Sequence, residues 1–310
     1  MREPYYKVIQ ESWEQGILPN STRTSVLSTL HKADSRKQLP NYRPLSLTNC
    51  DYKLITFLFA RRLNNILSDI ISFDQVSYIK ERYIGTSIRN LIDLFEYCEE
   101  NNEPGAFLCM DFEKAFDSVE HIYLKEVLKK FNFGENYIRW FDILYNDAKF
   151  KVKNNGWISK SYNMTRGLRQ GCALSALNFL LVVEVLAQMI RQCNNVKGIK
   201  ISNNEHKVIQ YADDITVCIR DIESIRHLIE IIEEFGKCSG LKLNLKKTKG
   251  IWLGSLKDLG YRRNCEITWT GNPVKCLGIY LGHNKKKCYQ LNWNKRICNV
   301  ERILQQWNKR

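Results

Sequence analysis

The sequence predicts an α+β fold, an antiparallel sheet with helices packed on one face. Three observations predict it. Helical and strand periodicities alternate irregularly along the 310 residues, without the regular strand–helix repeat of a parallel sheet. Two pairs of strands are joined by short polar turns, residues 149–164 around Asn154-Asn155-Gly156 and residues 206–219 around Asp213-Asp214. Such turns make antiparallel neighbours. Finally, 44% hydrophobic and 26% charged residues is the balance of a chain long enough to bury a sizeable core. It excludes disorder, a collagen-like repeat and a membrane bundle.

In chain order, residues 5–15 form an amphipathic helical pattern that stops at Gly16, with Pro19 beyond it. TSVLSTL (24–30) is a strand, and the polar loop KADSRKQLPN leads to a second strand over 42–47. Leu54, Ile55, Leu58, Phe59, Leu63, Ile66 and Leu67 recur at helical spacing, which predicts a helix over 52–67. Another helix covers 86–101 and is broken by Pro104-Gly105. AFLCM (106–110) is the sharpest strand signal, and it ends at Asp111. Helices over 122–131 and 136–145 precede the 149–164 hairpin. The apolar stretch 173–193 contains Asn178, Glu184 and Gln188, which makes it a buried helix rather than a membrane span. After the 206–219 hairpin, residues 222–238 are helical, with Ile225, Leu228, Ile229, Ile232 and Phe235 as the buried stripe. Short strands are predicted near 249–253 and 275–281, and a last helix from about Leu291. Both ends lie inside helical patterns without caps, as in a module of something longer.

Charge is unevenly distributed. The chain carries +14 overall, and residues 242–310 hold 16 Lys and Arg against 3 Asp and Glu. A basic end on a nearly neutral body suits a polyanion held at one side, though a solvated lysine face has the same composition. None of the 11 cysteines forms a CxxC pair, and spacings such as Cys98 to Cys109 or Cys265 to Cys276 suit neither zinc nor a compact disulfide scaffold. They are expected as small apolar core residues in a reducing compartment. The opening residues, MREPYYKVIQES, are too polar for a signal peptide.

Carboxylates stand where strands end: Asp111 after FLCM, and Asp213-Asp214 between VIQYA and ITVCI. Two such elements side by side would crowd three acids together, at a cost that a cation relieves. Oxygen-only ligands suit Mg²⁺ or Mn²⁺, and two such ions are the machinery of in-line phosphoryl transfer. Asp is also an ordinary turn residue, so the dipeptide alone carries little weight.

The surrounding residues carry more. Tyr211-Ala212-Asp213-Asp214 resembles the YxDD box of reverse transcriptases. DFEKAFD (111–117) and RQGCALS (169–175) resemble two further boxes of that family. NYRPLSLTNCDYKLITFLFARRL (41–63), FDQVSYI (73–79), GLKLNLKKTK (240–249) and KCLGIYLG (275–282) are similar to segments of LINE-type, non-LTR retrotransposon reverse transcriptases. Several boxes are shared with group II intron maturases, and SLTNCDYKLIT favours the LINE side.

The resemblance implies a right-hand fold. Residues 1–40 would be the N-terminal part of the fingers, 41–282 the fingers and palm with the primer grip, and 283–310 the start of a thumb. It implies an RNA-directed DNA polymerase that joins dNTPs to a primer 3′-OH, with an RNA template, a DNA primer and two Mg²⁺ or Mn²⁺ ions. Asp111 and Asp213 would hold the ions, with Asp214 more peripheral. Phe116 would be the steric gate against ribose. Gln170 and Gly171 would line the nucleotide and templating base, with Gly167 and Gly171 allowing close approach to a ligand. Arg43, with Lys32 as a looser candidate, would contact the triphosphate, and Lys247 would protonate pyrophosphate. Cys276, Leu277 and Gly278 would form the primer grip. Tyr78 would stack on template, and Trp252, Tyr261, Trp269 and Trp293 would follow the duplex with the basic end. Three positions depart from the family pattern: Ala173 and Ala176 replace prolines, and Ser77 replaces a glycine. The family's endonuclease and C-terminal Cys/His-rich regions are not in this sequence, and its habit of priming at chromosomal DNA implies a nuclear location. The alternative reading is a truncated or decayed copy that binds nucleic acid without polymerising.

Overall fold

The structure is a computed structural model, and it describes residues 2–32, 35–259 and 267–308. Its elements run α1 (Arg2–Gln15), α2 (Asn20–Arg23), β1 (Thr24–His31), β2 (Tyr42–Leu47), α3 (Cys50–Leu63), α4 (Leu67–Ile70), α5 (Ile84–Glu100) and β3 (Gly105–Met110). Then come α6 (Ala115–Ser118), α7 (His121–Lys130), α8 (Glu135–Tyr145), β4 (Lys149–Asn154), β5 (Trp157–Ile158), β6 (Tyr162–Asn163) and α9 (Ala173–Gln192). The last third holds β7 (Ile199–Ile201), β8 (Asn204–His206), β9 (Val208–Tyr211), β10 (Asp214–Ile219), α10 (Glu223–Ser239), β11 (Lys249–Leu253), β12 (Thr268–Trp269), β13 (Val274–Cys276), β14 (Ile279–Leu281) and α11 (Lys285–Trp307).

Two sheets organise the chain. One has the order β2-β1-β4-β5, with β6 also on β4. The other has the order β12-β11-β3-β10-β9, antiparallel except where β12 joins β11. The second sheet departs from the one-sided layer predicted. Ala106, Leu108 and Met110 of β3 face a core shared with α7, α9 and α10, whereas Phe107 faces a second core shared with α5 and the β13–β14 hairpin. A strand that is apolar at nearly every position needs cover on both faces.

Helix α9 runs through the main core. Leu177 and Phe179 to Val183 are buried, as an all-round apolar helix requires. It is long and apolar enough to cross a membrane, yet 72% of its apolar window is buried inside the fold. Its buried Glu184 accepts from Arg191 at 3.0 Å, and Arg191 also makes two 2.9 Å bonds to Asp74. A buried charge persists only when paired in this way.

Several boundaries differ from expectation. The helix expected over 52–67 ends at Leu63 and resumes as α4. The β7–β8 hairpin was not predicted, because strands of three residues are too short to show alternation. The strand expected over 275–281 is a hairpin, turned by Leu277 and Gly278 at φ 47° and 83°. Helix α11 starts six residues before Leu291, at Lys285, because Asn284 caps it by accepting from the Lys287 N–H at 2.9 Å.

Candidate functional site

The three acids meet at one end of the second sheet. β10 pairs antiparallel with β3, Ile215 opposite Met110, so one step further Asp111 leaves β3 beside Asp214. The turn between β9 and β10 sits one residue earlier than expected. Tyr211 pairs with Asp214, which leaves Ala212 and Asp213 as the two turn residues and Asp214 as the first residue of β10. Ala212 holds φ at +53°, an uncommon conformation for a non-glycine residue. Asp111 is pinned through its backbone. Its N–H donates to the Thr248 hydroxyl at 3.3 Å, and its carbonyl accepts from the Asn244 N–H at 2.7 Å.

Asp213 and Asp214 are both raised above the ordinary carboxylate value. For Asp213, desolvation leads and the Asp111 charge adds to it, against the attraction of Arg43 and Lys32. For Asp214, desolvation leads again, with Asp213 and Asp111 adding and Lys275 opposing. Excess negative charge of this kind favours a cation. Among the described residues, no three His, Cys, Asp or Glu side chains form a ready metal cage. The donor set nevertheless fits Mg²⁺, which takes one or two carboxylates and completes its shell with water and substrate phosphates.

The other predicted residues gather around these acids to different degrees. Arg43, on β2, and Lys32, just after β1, are the cations whose fields reach Asp213. Lys247 places its Nζ 4.0 Å from Asp111 Oδ2. Phe116 stacks on Phe179 of α9, centroids 4.5 Å apart and planes 18° apart, and its carbonyl accepts from the Leu168 N–H. Gln170 donates to Asp117 Oδ1 at 3.0 Å, and its carbonyl accepts from the Ser46 N–H at 2.8 Å, joining the two halves of the site. Half-exposed Tyr78 lies near Asp213 and Tyr211.

Two expectations are corrected, for the tryptophans and for two cysteines, and the glycines have a local cause. Gly167 and Gly171 allow close approach of the chain itself. At φ +89° and +109°, a Cβ would meet the Asp117 carbonyl oxygen at 2.7 Å and the Ser46 carbonyl oxygen at 3.0 Å. Trp252 and Trp269 do not line a duplex surface. They are buried and stacked on each other at 3.8 Å, the packed seam of β11 and β12. Trp293 is half-exposed, while Tyr261 and Cys265 lie outside the described residues. Cys109 and Cys276 are not free core thiols. They are joined sulfur to sulfur with Cα atoms 6.0 Å apart, tying the 276–278 turn to β3. In that turn Leu277 is buried, and Gly278, at a positive φ of 83°, has open space where a Cβ would stand.

Sequence reasoning missed two residues. Arg169 is quoted in the RQG box without a role. It is fully buried, donates to the Arg23 carbonyl at 2.6 Å and lies over the Tyr52 ring at 4.3 Å, which anchors the loop that carries Gln170. Gln75 is fully buried beside the Ala212-Asp213 turn, and its Oε1 accepts from the Ala212 N–H at 3.0 Å. A polar residue in a loop gives no periodic signal, so only coordinates reveal such a contact.

Residues 30–281 match the family described as reverse transcriptase (RNA-dependent DNA polymerase). The transposon TX1 uncharacterized 149 kDa protein of Xenopus laevis is 31% identical over 280 residues, covering 89% of this chain and 21% of that protein. The Pol polyprotein of the type-2 retrotransposable element R2DM of Drosophila melanogaster is 23% identical over 235 residues, covering 75% of this chain and 22% of that protein. The chain thus spans about a fifth of the length of these curated relatives. Among solved structures, apo telomerase from Candida tropicalis superposes with a TM-score of 0.58 at 11% identity, covering 90% of this chain and 52% of that one. Candida albicans telomerase in complex with a fragment of telomeric RNA gives 0.57 at 11% identity, covering 90% and 48%. At that identity the likeness is one of fold alone, the right hand. Family match and relatives together carry the assignment: this chain belongs to the reverse transcriptase family, on the side of the non-LTR retrotransposons.

Proposed function

We propose that this chain is the polymerising core of a non-LTR retrotransposon reverse transcriptase, adding dNTPs to a DNA primer along an RNA template. The single observation that carries this reading is the meeting of Asp111, Asp213 and Asp214 at one sheet end, opposite Arg43 and Lys32. Arg43 and Lys32 act on Asp213 through their charge, and acids beside cations are what a triphosphate and its counter-ions need. In the reaction, the primer 3′-oxygen bonds to the α-phosphorus of the dNTP, the bond to the β-phosphate oxygen breaks, and the hydroxyl proton is lost.

Each group has a task. Asp111 and Asp213, with Asp214 at the periphery, would hold two Mg²⁺ or Mn²⁺ ions, which supply Lewis acidity at the hydroxyl and the phosphates. Arg43 and Lys32 bind the triphosphate oxygens, Arg43 through a planar fork. The Phe116 ring fills the space a ribose 2′-OH needs. Gln170, oriented by Asp117, contacts the nucleotide, and Gly171 keeps that loop against β2. Lys247 gives a proton to the departing pyrophosphate. The 276–278 turn seats the primer end, and the basic residues after 242 follow the duplex through its phosphates. Residues 1–40, 41–282 and 283–310 serve as outer fingers, fingers with palm, and the beginning of a thumb. A nuclear location follows from the family's use of chromosomal DNA as primer.

The test is primer extension on an RNA template with Mg²⁺ or Mn²⁺, comparing wild type with Asp213→Asn. Extension by wild type alone supports the reading. Binding of template–primer without extension by either protein refutes it.

A further inference from the structure

We propose that Gln75 is a positioning residue that fixes the Asp213 turn through the Ala212 N–H. The inference rests on the polymerase reading above. Residues Ala212 and Asp213 link β9 to β10 without ladder bonds of their own, and Ala212 carries a positive φ of 53°. A turn so strained persists only when its surroundings over-determine it.

Gln75 supplies that determination. Its Oε1 accepts two N–H bonds, from Ala212 at 3.0 Å and from Ser77 at 3.1 Å, and its Nε2 donates to Gln210 Oε1 at 3.4 Å. The side chain is fully buried, so water cannot replace it. Its own backbone is held on both sides. Val76 N–H donates to the Gln210 carbonyl at 3.2 Å, and Gln210 N–H to the Asp74 carbonyl at 2.9 Å. Arg82 Nη1 donates to the carbonyls of Ser72 and Gln75 at 2.5 and 2.8 Å, and its Nη2 to that of Ile71 at 2.8 Å. The Asp74 carboxylate is locked by Arg191. The segment before Gln75 is therefore a rigid base, and the glutamine carries this rigidity to the turn. Asp213 is the residue next to the N–H it holds. Without that bond the turn can relax toward negative φ, which swings the Asp213 carboxylate away from Asp111 while leaving the sheet intact.

Single-nucleotide addition by Gln75→Met, Gln75→Glu and Gln210→Met is the test. Methionine keeps length and volume but offers no strong acceptor; glutamate keeps the acceptor. The expected result is a fall in kcat of about ten- to hundred-fold for Gln75→Met. The KM for dNTP and the affinity for template–primer stay near wild type, and Gln75→Glu recovers most of the rate. Gln210→Met removes a bond of the same buried pair without touching the turn, so it lowers Tm comparably and leaves kcat near wild type. Replacing Ala212 by its α-hydroxy analogue removes only the N–H, and should reproduce the kcat loss even if Gln75→Met does not fold. Equal kcat losses in Gln75→Met and Gln210→Met, or an unchanged rate with the 212 ester, overturn the inference while wild type still polymerises. If wild type itself extends no primer, the polymerase reading fails instead.

Discussion

Removing one acid from the site should stabilise the fold while it damages the chemistry. Asp214 is the cleanest place to see this. Two like charges act on it, from Asp213 and Asp111, against the single cation Lys275, and desolvation adds to the repulsion. Like charges about 4 Å apart repel by roughly 1 kcal/mol in water-like surroundings and roughly 4 kcal/mol at an effective dielectric of about 20, and less when further apart. The cleft is open, with Asp111 46% exposed, so the lower figure governs. After Lys275 is set against the second acid, Asp214→Asn should gain about 0.5–1 kcal/mol at pH 7, close to 2 °C in Tm. The sign follows from linkage. A carboxyl raised above its unfolded value destabilises wherever it is ionised in the fold, and that penalty fades as pH falls through the raised value. Urea unfolding of wild type and Asp214→Asn at pH 7 and at pH 4.5 reads both effects. A gain at pH 7 that shrinks at pH 4.5, with primer extension impaired, is the expected pattern. An Asn variant less stable than wild type at pH 7, or equally advantaged at both pH values, would refute the claim that the acids repel one another.

Phe116→Val should admit ribonucleotides in a primer-extension competition. It should also lower stability by about 1–2 kcal/mol, because the stack on Phe179 is lost with the ring. Arg191→Met leaves Glu184 and Asp74 without their cation, and a broken pair of this kind costs roughly 3–5 kcal/mol, visible as a lower urea midpoint or loss of soluble protein. Burial pulls the His121 imidazole below its ordinary value, against its 2.8 Å bond to the Gly167 carbonyl. Its contribution is therefore full above about pH 6.5 and lost as pH falls below that. His121→Gln should flatten the stability profile below about pH 6.5 in urea titrations.

Much of the fold was legible because long elements repeat their pattern. The strand at 42–47, the helices after Asp111 and the α10 stripe of Ile225, Leu228, Ile232 and Phe235 lie where periodicity put them. What periodicity could not give was which face a strand turns to which neighbour. AFLCM looks the same whether helices cover it on one side or two, and only the division of Ala106, Leu108 and Met110 from Phe107 settles the layering. Likewise Trp252 and Trp269 look like duplex contacts in a basic stretch, until their mutual stacking shows them as core. Aromatic residues among lysines carry no local sign of which way they point.

The candidate site divides along the same line. Asp111, Asp213 and Asp214 were legible because the boxes around them resemble a known family's, whereas strand-end acids alone carry little weight. The groups that hold those acids were not, because they act on backbone atoms, which no sequence pattern displays. Thr248 and Asn244 fix Asp111 through its N–H and carbonyl. Gln75 reaches the neighbouring turn through the Ala212 N–H. Gly171 makes room for the Ser46 carbonyl. A substitution at these places leaves every charged group present, so a chain can keep all of its recognisable acids and still lose their geometry. Intact boxes in a sequence of this family therefore mark where the acids are, whereas their geometry rests on backbone contacts such as the one at Ala212.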